Sequence, residues 1–528
     1  FEERHIAMGS TTRLLTLLFL VTTTSVILLN GADSARILCV FPTASKSHVL
    51  GMQALMKNLA KRGHEITMVS AFPLSKPVQN YRDVNVPIEA AFGPLMANFM
   101  QGKDRNMLKV MPVIVAASLD YTNTTLNSPQ FRKLVDEERF DLAVVGWFMN
   151  DYVAGIGQLF KCPTALYFSA GFSSMVNFFG NPAEVAAVPH MMLGNKNPMG
   201  FLDRVQNTLI YGVDVAITQY LRYKTKPYYD YNFPEEQGFL PYDEAKRQVS
   251  LVIFNSYFTQ AVPRPYLPNV IEVGGLQIKP KPDPLPADIQ AWLDGAEHGA
   301  IFLSFGSNLK SSNLRQDKFD AILAALSKLK QRIIWKWDTD VMPGKPANVM
   351  IGQWLPQDDI LAHKNLVLFV THCGLGSVTE SMYHGVPIVG IPMFGDQEHN
   401  AAQVLKEGWG EVVTFEDLTE ETLSSAIQGV LGNEKYRQTV QKMADLYRDR
   451  PQTGLDLATF WLEYVVRHKG APHLHYQGAD LNFLQRNLID VFAAIGAVLY
   501  VVFKILGLLF RTVKRVVCGQ KKPKQKRN

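Results

Sequence analysis

The sequence predicts an α/β protein built from two doubly wound, Rossmann-like domains that face each other across a cleft, followed by one transmembrane helix. Two separate stretches alternate short apolar strand patterns with helical patterns, which is typical of parallel βαβ sheets. The Pro-rich segment KPKPDPLP, at 279–286, separates these stretches and cannot form a helix. A long apolar run near the end of the chain predicts the membrane span.

The first stretch, residues 36–278, opens with the strand pattern RILCVFP, a helical pattern over Val49–Arg62 and the strand pattern RGHEITMVS. A strand, a helix and a strand in this order predict a βαβ unit. Further strands are predicted at FDLAVVGWF (140–148), PTALYFS (163–169) and VSLVIFNS (249–256). The stretch between Phe92 and Leu202 is rich in Met, Phe, Gly and Pro. It is interpreted either as an apolar pocket wall or as ordinary core and loop packing.

The second stretch, residues 287–440, repeats the alternation after the linker. Its predicted strands lie in GAIFLSFGS, RIIWKW, VMIGQWLP, LVLFVTH and PIVGIP. Residues 441–486 begin with a strongly helical pattern, in which a break is expected near Pro451. Open parallel sheets bind ligands at the carboxyl ends of their strands, so a ligand site is predicted at that edge of the second domain.

Composition excludes several classes of function. The chain has 528 residues, enough for two or three domains, and its net charge of +5 lies largely in the last eighteen residues. A nucleic-acid surface is therefore not expected. The four cysteines imply no disulfide framework, and no Cys/His cluster has the spacing of metal ligands, so no metal site is predicted.

Both ends of the chain carry membrane-targeting patterns. From the first methionine, residues 8–35 combine one arginine, an apolar core and small exit residues, which predicts a cleaved signal peptide. Residues 488–510 are long and apolar enough to span a bilayer, and the basic residues of 511–528 favour the cytosolic side for the tail. We therefore expect a single-pass type I membrane protein whose two domains lie in the lumen.

The tail has lysines at the third and fifth positions from its end, Lys526 and Lys524. This spacing resembles a dilysine retrieval signal for the endoplasmic reticulum; the alternative is a generic basic flank of the span. The sequon at Asn123 would be available for glycosylation in the lumen.

The turn THCGLGS follows the strand pattern LVLFVTH and opens a helical pattern. A Gly/Ser-rich turn between a strand and a helix directs backbone N–H groups and the positive helix end at one point, which suits a phosphate. Such turns occur in many folds, so the turn alone is a weak indication of function.

Longer segments of the sequence point to a specific function. WLPQDDILAH, FVTHCGLGSVTESMYHGVPIVGIPMFGDQEHNA and WLEYVVRHKGAPHL, together with Ser47-His48, resemble the signature of the membrane-bound animal UDP-glycosyltransferases, and of their invertebrate members in particular. The resemblance implies the GT-B fold, with an acceptor-binding domain at 36–278, a UDP-sugar-binding domain at 287–440 and a return to the first domain at 441–486. It implies transfer of a sugar from a UDP-sugar to a small lipophilic acceptor.

On the acceptor side, the resemblance makes His48 the general base. Family members place its carboxylate partner at the end of a later strand, where this chain has Gly146. Asp151 is the preferred substitute and Asp120 the second, whereas Asp141 is interpreted as strand-entry structure. If no carboxylate reaches the imidazole, His48 is expected to act alone and more slowly.

On the donor side, the resemblance assigns each part of a UDP-sugar to matching residues. Trp354 stacks on uracil, Gln357 contacts the nucleotide, Glu380 holds the ribose hydroxyls, and Asp396 with Gln397 holds the sugar hydroxyls. The diphosphate is assigned to Ser307 and to the THCGLGS turn, of which His372, Gly374 and Gly376 are site candidates. His372 would donate to a phosphate oxygen, so the leaving group needs no metal.

Two departures and one specificity position complete the comparison with the family pattern. Cys373 stands where members have the first of two glycines, and Gly376 stands where vertebrate members have Asn. Phe254 precedes Asn255-Ser256 where some vertebrate members carry Arg, which favours a neutral sugar and UDP-glucose as donor.

The expected function is thus an inverting glucosyltransferase for small lipophilic hydroxyl compounds, with the UDP-sugar as co-substrate and no further cofactor. Two alternatives stay open: a lipid or sterol glucosyltransferase, and a non-catalytic UDP-sugar or lipophile binder, which Gly146 motivates. A homo-oligomer is also compatible with the sequence.

Overall fold

The computed structural model describes residues 34–88, 93–103, 107–169, 179–190, 193, 197–260 and 262–519. Nearly all of the predicted signal peptide and the end of the basic tail lie outside these residues. The chain divides into two compact units, Phe1–His475 and Tyr476–Asn528.

The first domain contains a parallel sheet, in which seven strands lie within the described residues in the order β3-β2-β1-β4-β5-β6-β7. Its inner strands are apolar on both faces, because helices cover both sides of a doubly wound sheet. The edge strands β3 and β7 were not predicted. The strands are β1 Arg36–Phe41, β2 Glu65–Ser70, β3 Tyr81–Asn85, β4 Leu142–Gly146, β5 Thr164–Phe168, β6 Leu251–Phe254 and β7 Val270–Glu272.

The first helix of this domain begins a few residues after β1 and packs on the sheet. Its apolar residues recur at helical spacing, and Met52, Leu55, Met56 and Leu59 are buried against the sheet. The helices are α1 Lys46–Lys61, α2 Gly93–Met100, α3 Met107–Leu126, α4 Pro129–Glu137, α5 Ile156–Phe160, α6 Phe201–Asn232 and α7 Tyr242–Arg247.

The second domain repeats the architecture with a parallel sheet, whose described strands follow the order β10-β9-β8-β11-β12-β13. The two parallel sheets confirm the predicted fold class. The strands are β8 Ala300–Ser304, β9 Arg332–Lys336, β10 Val349–Gly352, β11 Leu366–Thr371, β12 Ile388–Gly390 and β13 Gly410–Val412. The helices are α8 Ala287–Asp294, α9 Gln316–Ser327, α10 Gln357–Leu361, α11 Leu375–Tyr383, α12 Gln397–Glu407 and α13 Glu420–Leu431.

Two further helices, α14 Glu434–Arg448 and α15 Gly454–Arg467, flank the predicted break near Pro451. The second of them packs against the first domain, with Ala458 and Leu462 in the core under α1. The backbone thus passes from the second domain to the first, as the resemblance implied.

Helix α2 belongs to the first domain in sequence but packs on the second. The rings of Phe99 and Phe394 stack with centroids 4.7 Å apart, and the backbone N–H of Arg315 donates to the Met100 carbonyl at 3.0 Å. Part of the Met- and Phe-rich stretch is therefore interdomain packing, which a local sequence pattern does not reveal.

The second unit contains α16 Phe483–Arg486 and α17 Ile489–Cys518. Within the described residues, α17 is the helix that is long and apolar enough to cross a membrane. It extends past the predicted end of the span at 510 into the basic flank.

We expect Gly454→Ala to destabilise the protein by about 2 kcal/mol or more, because a Cβ at this first residue of α15 would overlap the Val273 carbonyl oxygen. Gly429→Ala is the matched control: Gly429 lies in α13 with open space around it, so alanine should stabilise the helix by about 0.5–1 kcal/mol. Urea unfolding of both variants measures the difference. Equal stability of the two variants would contradict the close packing of α15 on the first domain.

Candidate active site

The first turn of α1 contacts the second domain directly. The Ser45 hydroxyl donates to Asn308 Oδ1 at 3.0 Å, and the Lys46 ammonium lies 3.6 Å from the ring centroid of Trp354. Trp354 is half exposed, at 52 %, just before α10. The turn that carries His48 therefore lies against the proposed nucleotide platform.

His48 is half-buried, and its ring lies edge-on to the ring of Phe148 with centroids 5.5 Å apart. Burial lowers the pKa of the imidazole to about 4, because desolvation disfavours the charged form. The ring is therefore neutral at pH 7 and able to accept a proton. Among the described residues, no carboxylate forms a hydrogen bond or ion pair with it.

Asp151 lies in a separate buried network. Its carboxylate accepts a hydrogen bond from Trp147 Nε1 at 2.9 Å, lies 3.6 Å from Lys246 Nζ and is 3.5 Å from the Tyr242 hydroxyl. These partners engage both carboxylate oxygens of Asp151. The structure therefore does not pair Asp151 with His48.

The other two carboxylates considered from sequence are also engaged elsewhere. Asp120 accepts a hydrogen bond from the Tyr228 hydroxyl at 2.8 Å, and Asp141 accepts one from the Arg36 backbone N–H at 2.8 Å. Asp141 thus has the strand-entry role that the sequence predicted.

Gly146 ends β4, which is paired with β1. A Cβ at this position would lie 2.8 Å from the ring of Phe41, which fills the space next to the glycine. An aspartate at 146 would require Phe41 to move.

On the donor side, the His372 ring is seated between two glycine backbones. A Cβ at Gly306, where φ is +81°, would lie 2.7 Å from the ring, and a Cβ at Gly374 would lie 2.6 Å from it. Nearby in sequence, Ser307 Oγ is buried without a hydrogen-bond partner. Gly374 is the N-cap of α11, so the positive end of that helix lies at this turn, and its first backbone N–H, that of Leu375, bonds to the Asp396 carboxylate. The arrangement suits an anion.

Cys373 fits the turn although its φ is +62°, a left-handed conformation that favours glycine. Its thiol occupies space next to Gly390, where any Cβ would overlap the sulfur. Asn400 Nδ2 donates to the Cys373 carbonyl at 3.0 Å and ties the turn to α12.

Lys336, at the end of β9, is a site residue that sequence reasoning missed. Its ammonium donates to the Gly306 carbonyl at 2.6 Å and lies 5.9 Å from the Trp354 ring centroid. Burial lowers the pKa of Lys336. Burial likewise lowers the pKa of His372 to about 4. A hydrogen bond with the Ser304 backbone raises this pKa, whereas the charge of Lys336 lowers it further. The available sequence signal was a lysine at the carboxyl end of the strand RIIWK, whose three middle residues are apolar.

Glu380 is buried in α11 and bound by amides. Gln357 Nε2 donates to its carboxylate at 2.7 Å and to Ser377 Oγ at 3.1 Å, and Gln277 is a second side-chain partner of the carboxylate. Burial, with a contribution from the charge of Asp358, raises the pKa of Glu380 to about 7. Gln277 lies next to the interdomain linker and was not a sequence candidate.

Asp396 and Gln397 have different roles in the structure. Asp396 accepts a hydrogen bond from Asn400 Nδ2 at 3.0 Å, and burial raises the pKa of its carboxyl. The Gln397 side-chain oxygen accepts from the backbone N–H groups of Met393 at 2.8 Å and Phe394 at 3.2 Å. Gln397 therefore shapes the loop that presents Asp396.

Taken together, the structure brings most donor candidates to one edge of the second sheet. Gly376 has room beside it, since a Cβ at this position would meet Gln277 Nε2 as its nearest atom, at 3.5 Å. The half-exposed ring of Trp354, the glycine-flanked turn at His372 and the buried carboxylate of Glu380 all lie on this side of the domain. This arrangement can hold an aromatic base, a diphosphate and a hydroxylated ring.

Comparison with known proteins identifies the family. Residues 36–523 match the family described as UDP-glucoronosyl and UDP-glucosyl transferase. UDP-glucosyltransferase 2 of Dactylopius coccus is 32 % identical over 88 % of this chain and 90 % of its own length. The 2-hydroxyacylsphingosine 1-beta-galactosyltransferase of Rattus norvegicus is 32 % identical over 92 % of this chain and 90 % of its own.

The fold also has solved counterparts. A crystal structure of a UDP-glucose:anthocyanidin 3-O-glucosyltransferase in complex with UDP superposes with a TM-score of 0.52 at 16 % identity, covering 82 % of this chain and 99 % of that one. This likeness shows the shared GT-B architecture. The family match spans both Rossmann-like domains and the apolar C-terminal helix, so the chain belongs to the UDP-glucoronosyl and UDP-glucosyl transferase family and is a UDP-glycosyltransferase.

Proposed function

We propose that this enzyme transfers glucose from UDP-glucose, with inversion, to a hydroxyl group of a small lipophilic acceptor, and that His48 is the general base. The observation that carries the proposal is the contact of Lys46 with Trp354 across the cleft. This contact supports the proposal because the same turn bears His48, and Trp354 is the ring on which the uracil would stack.

The donor contacts follow the edge of the second sheet. Uracil stacks on Trp354, the ribose hydroxyls donate to Glu380, and the diphosphate lies at the turn that carries His372. The ammonium of Lys46 already covers one face of the Trp354 ring, so a stacked uracil takes the other face or displaces Lys46.

The reaction then needs three charge movements. The acceptor oxygen forms a bond to the anomeric carbon, the bond from that carbon to the β-phosphate oxygen breaks, and UDP leaves with the electron pair. The acceptor proton moves to His48. The N-terminus of α11 and the ammonium of Lys336 stabilise the charge on the diphosphate, and the anion favours protonation of His372.

A neutral sugar fits the charges near its expected position better than a glucuronate. Asp396 is a carboxylate in the loop assigned to the sugar, and it would repel the carboxylate of glucuronic acid. Phe254 is fully buried in the first-domain core, where it contacts Phe168. It therefore supplies no cation to the donor. The similar insect glucosyltransferase supports glucose, and the similar rat enzyme keeps galactose as the second neutral candidate.

We further propose that α17 anchors the enzyme in the endoplasmic reticulum membrane with its two domains in the lumen. The basic residues Arg511, Lys514 and Arg515 in the last turns of the helix support a cytosolic end. Asn123 is half-buried within α3, and its side chain accepts from Asn127 and Asn232. These contacts do not favour its use as a glycosylation site.

A donor panel tests the proposed reaction. The detergent-solubilised full chain is incubated with UDP-glucose, UDP-galactose or UDP-glucuronate and a phenol, and product is measured by mass spectrometry. We expect kcat/KM for UDP-glucose to exceed that for UDP-glucuronate at least tenfold. Preference for UDP-glucuronate would overturn the choice of sugar, and UDP binding without transfer from any donor would favour the non-catalytic alternative.

We expect His48→Ala to lower kcat by about 100-fold or more, because general-base catalysis contributes about that factor. UDP affinity, measured by calorimetry, should stay within twofold, since His48 lies on the acceptor side. Trp354→Ala is the opposite control and should weaken UDP binding by about 1–3 kcal/mol through loss of stacking. Turnover of the His48→Ala enzyme within fivefold of the wild type would remove His48 as the base.

The raised pKa of Glu380 predicts a pH dependence of uridine binding. Ribose hydroxyls donate to the ionised carboxylate, and with a pKa of about 7 that form is the minor one at pH 6 and the major one at pH 8. Affinity for uridine, which lacks phosphates, should therefore rise about tenfold from pH 6 to pH 8.

Glu380→Gln is the matched control, because the amide has the same size and does not titrate in this range. Calorimetry at both pH values should give a flat profile and weaker binding for this variant. A wild-type affinity that falls as pH rises would contradict the role of Glu380 as acceptor for the ribose hydroxyls.

A further inference from the structure

The first residue of α1 is a lysine, Lys46, whose side chain is half-buried. A cation is unfavourable at this end of a helix, because the backbone N–H groups there carry partial positive charge. The first turn of α1 has no acidic side chain to offset the charge. The hydroxyl of the N-cap residue, Ser45, donates to Asn308 in the second domain and not to the helix. The local structure of α1 therefore does not explain a lysine at this position.

The Lys46 side chain contacts the second domain. Its ammonium lies 3.6 Å from the ring centroid of Trp354, the ring proposed for the uracil. The ammonium of Lys336 lies 5.9 Å from the same centroid and donates to the Gly306 carbonyl at 2.6 Å. One ammonium group from each domain thus lies near the same aromatic ring.

The two ammonium groups repel each other. Burial is the main reason why the pKa of Lys336 is lowered, and the charge of Lys46 lowers it further, whereas the charge of Asp338 raises it. An anion bound beside two such cations stabilises the charged form of both. The diphosphate assigned to the turn of His372 is the anion that a UDP-sugar would bring to this place.

The Lys46 side chain is able to change partners without a movement of α1. Its four-carbon stem is flexible, whereas the backbone of the same turn is held by the contact of Ser45 with Asn308. Lys336 marks the direction of the movement, because it lies near Trp354 and bonds to Gly306. A Cβ at Gly306 would lie 2.7 Å from the His372 ring, so this glycine belongs to the turn proposed for the phosphates.

We propose that Lys46 is a donor-binding residue supplied by the first domain, and that its ammonium leaves the Trp354 ring to bind the diphosphate when a UDP-sugar stacks there. The inference rests on the proposed places of the uracil at Trp354 and of the diphosphate at the His372 turn. His48 lies two residues after Lys46 in the same helical turn. The bound donor therefore holds the turn that carries the base, and the two domains share the charge of the leaving group.

The affinities for UDP and for uridine separate a phosphate contact from a contact with the base. Both are measured by calorimetry on the detergent-solubilised full chain. Lys46→Met keeps the length and the helix propensity of the side chain and removes its charge. We expect the Kd for UDP to rise about tenfold or more through loss of a charge-assisted contact, while the Kd for uridine rises no more than about twofold. An equal change for both ligands, or no change for either, would overturn the proposal.

Two matched variants distinguish a charge contact from a structural role. Lys46→Arg keeps the charge, so the ratio of the two Kd values should stay within about threefold of the wild type. Ser45→Ala removes the other contact of this turn with the second domain and leaves the cation in place, so it should change both affinities equally. The proposal is overturned if Lys46→Arg loses as much preference for UDP as Lys46→Met, or if Ser45→Ala reproduces that loss.

The wild-type enzyme separates this inference from the proposed function. Equal affinities of the wild type for UDP and uridine would overturn both the inference and the assignment of the diphosphate to the His372 turn. A selective loss of UDP affinity in Lys46→Met, together with no transfer from any donor of the panel, would support the role of Lys46 and overturn the proposed reaction. Transfer by a wild type whose preference for UDP survives Lys46→Met would overturn the inference alone.

Discussion

The active site depends most on the contact between the first turn of α1 and the second domain. The Ser45 hydroxyl and the Lys46 ammonium hold this turn against the second domain, at the loop after β8 and at Trp354. Both contacts are partly exposed and individually weak. The buried packing of α2 on the second domain and of α15 on the first joins the same two domains at other points. These contacts keep the turn of His48 near Trp354, which lies about three hundred residues further along the chain.

Several ionisable side chains on the donor side are buried, and burial destabilises their charged forms when no ligand is bound. Burial raises the pKa of Glu380 and Asp396 and lowers the pKa of Lys336 and His372. Each shift is a free-energy difference between the two protonation states. Under the proposed function, a UDP-sugar supplies hydroxyl donors to the two carboxylates and anionic oxygens to Lys336 and His372, so binding favours the charged forms that burial disfavours.

Features that depend on local sequence could be predicted, and features that depend on distant partners could not. Strand periodicity gave the inner strands of both sheets, and turn chemistry gave the position of His372 between a strand and a helix. The edge strands β7 and β13 have three residues each, and β3, with the sequence YRDVN, is polar and only partly buried. Asp151 could not be placed, because its buried partners Trp147 and Lys246 decide its role. The same holds for Gln397, whose oxygen is engaged by two backbone N–H groups.

The departures from the family pattern are accommodated by specific neighbours. Cys373 replaces a glycine in a left-handed turn, and its thiol fits because Gly390 has no side chain. Gly146 replaces an acidic residue, and the ring of Phe41 fills the space beside it. If Gly146 were replaced by aspartate, the new side chain would overlap the ring of Phe41. The packing around Phe41 would therefore be disrupted before the carboxylate could pair with His48. The space beside residue 146 is therefore well packed without an acidic side chain.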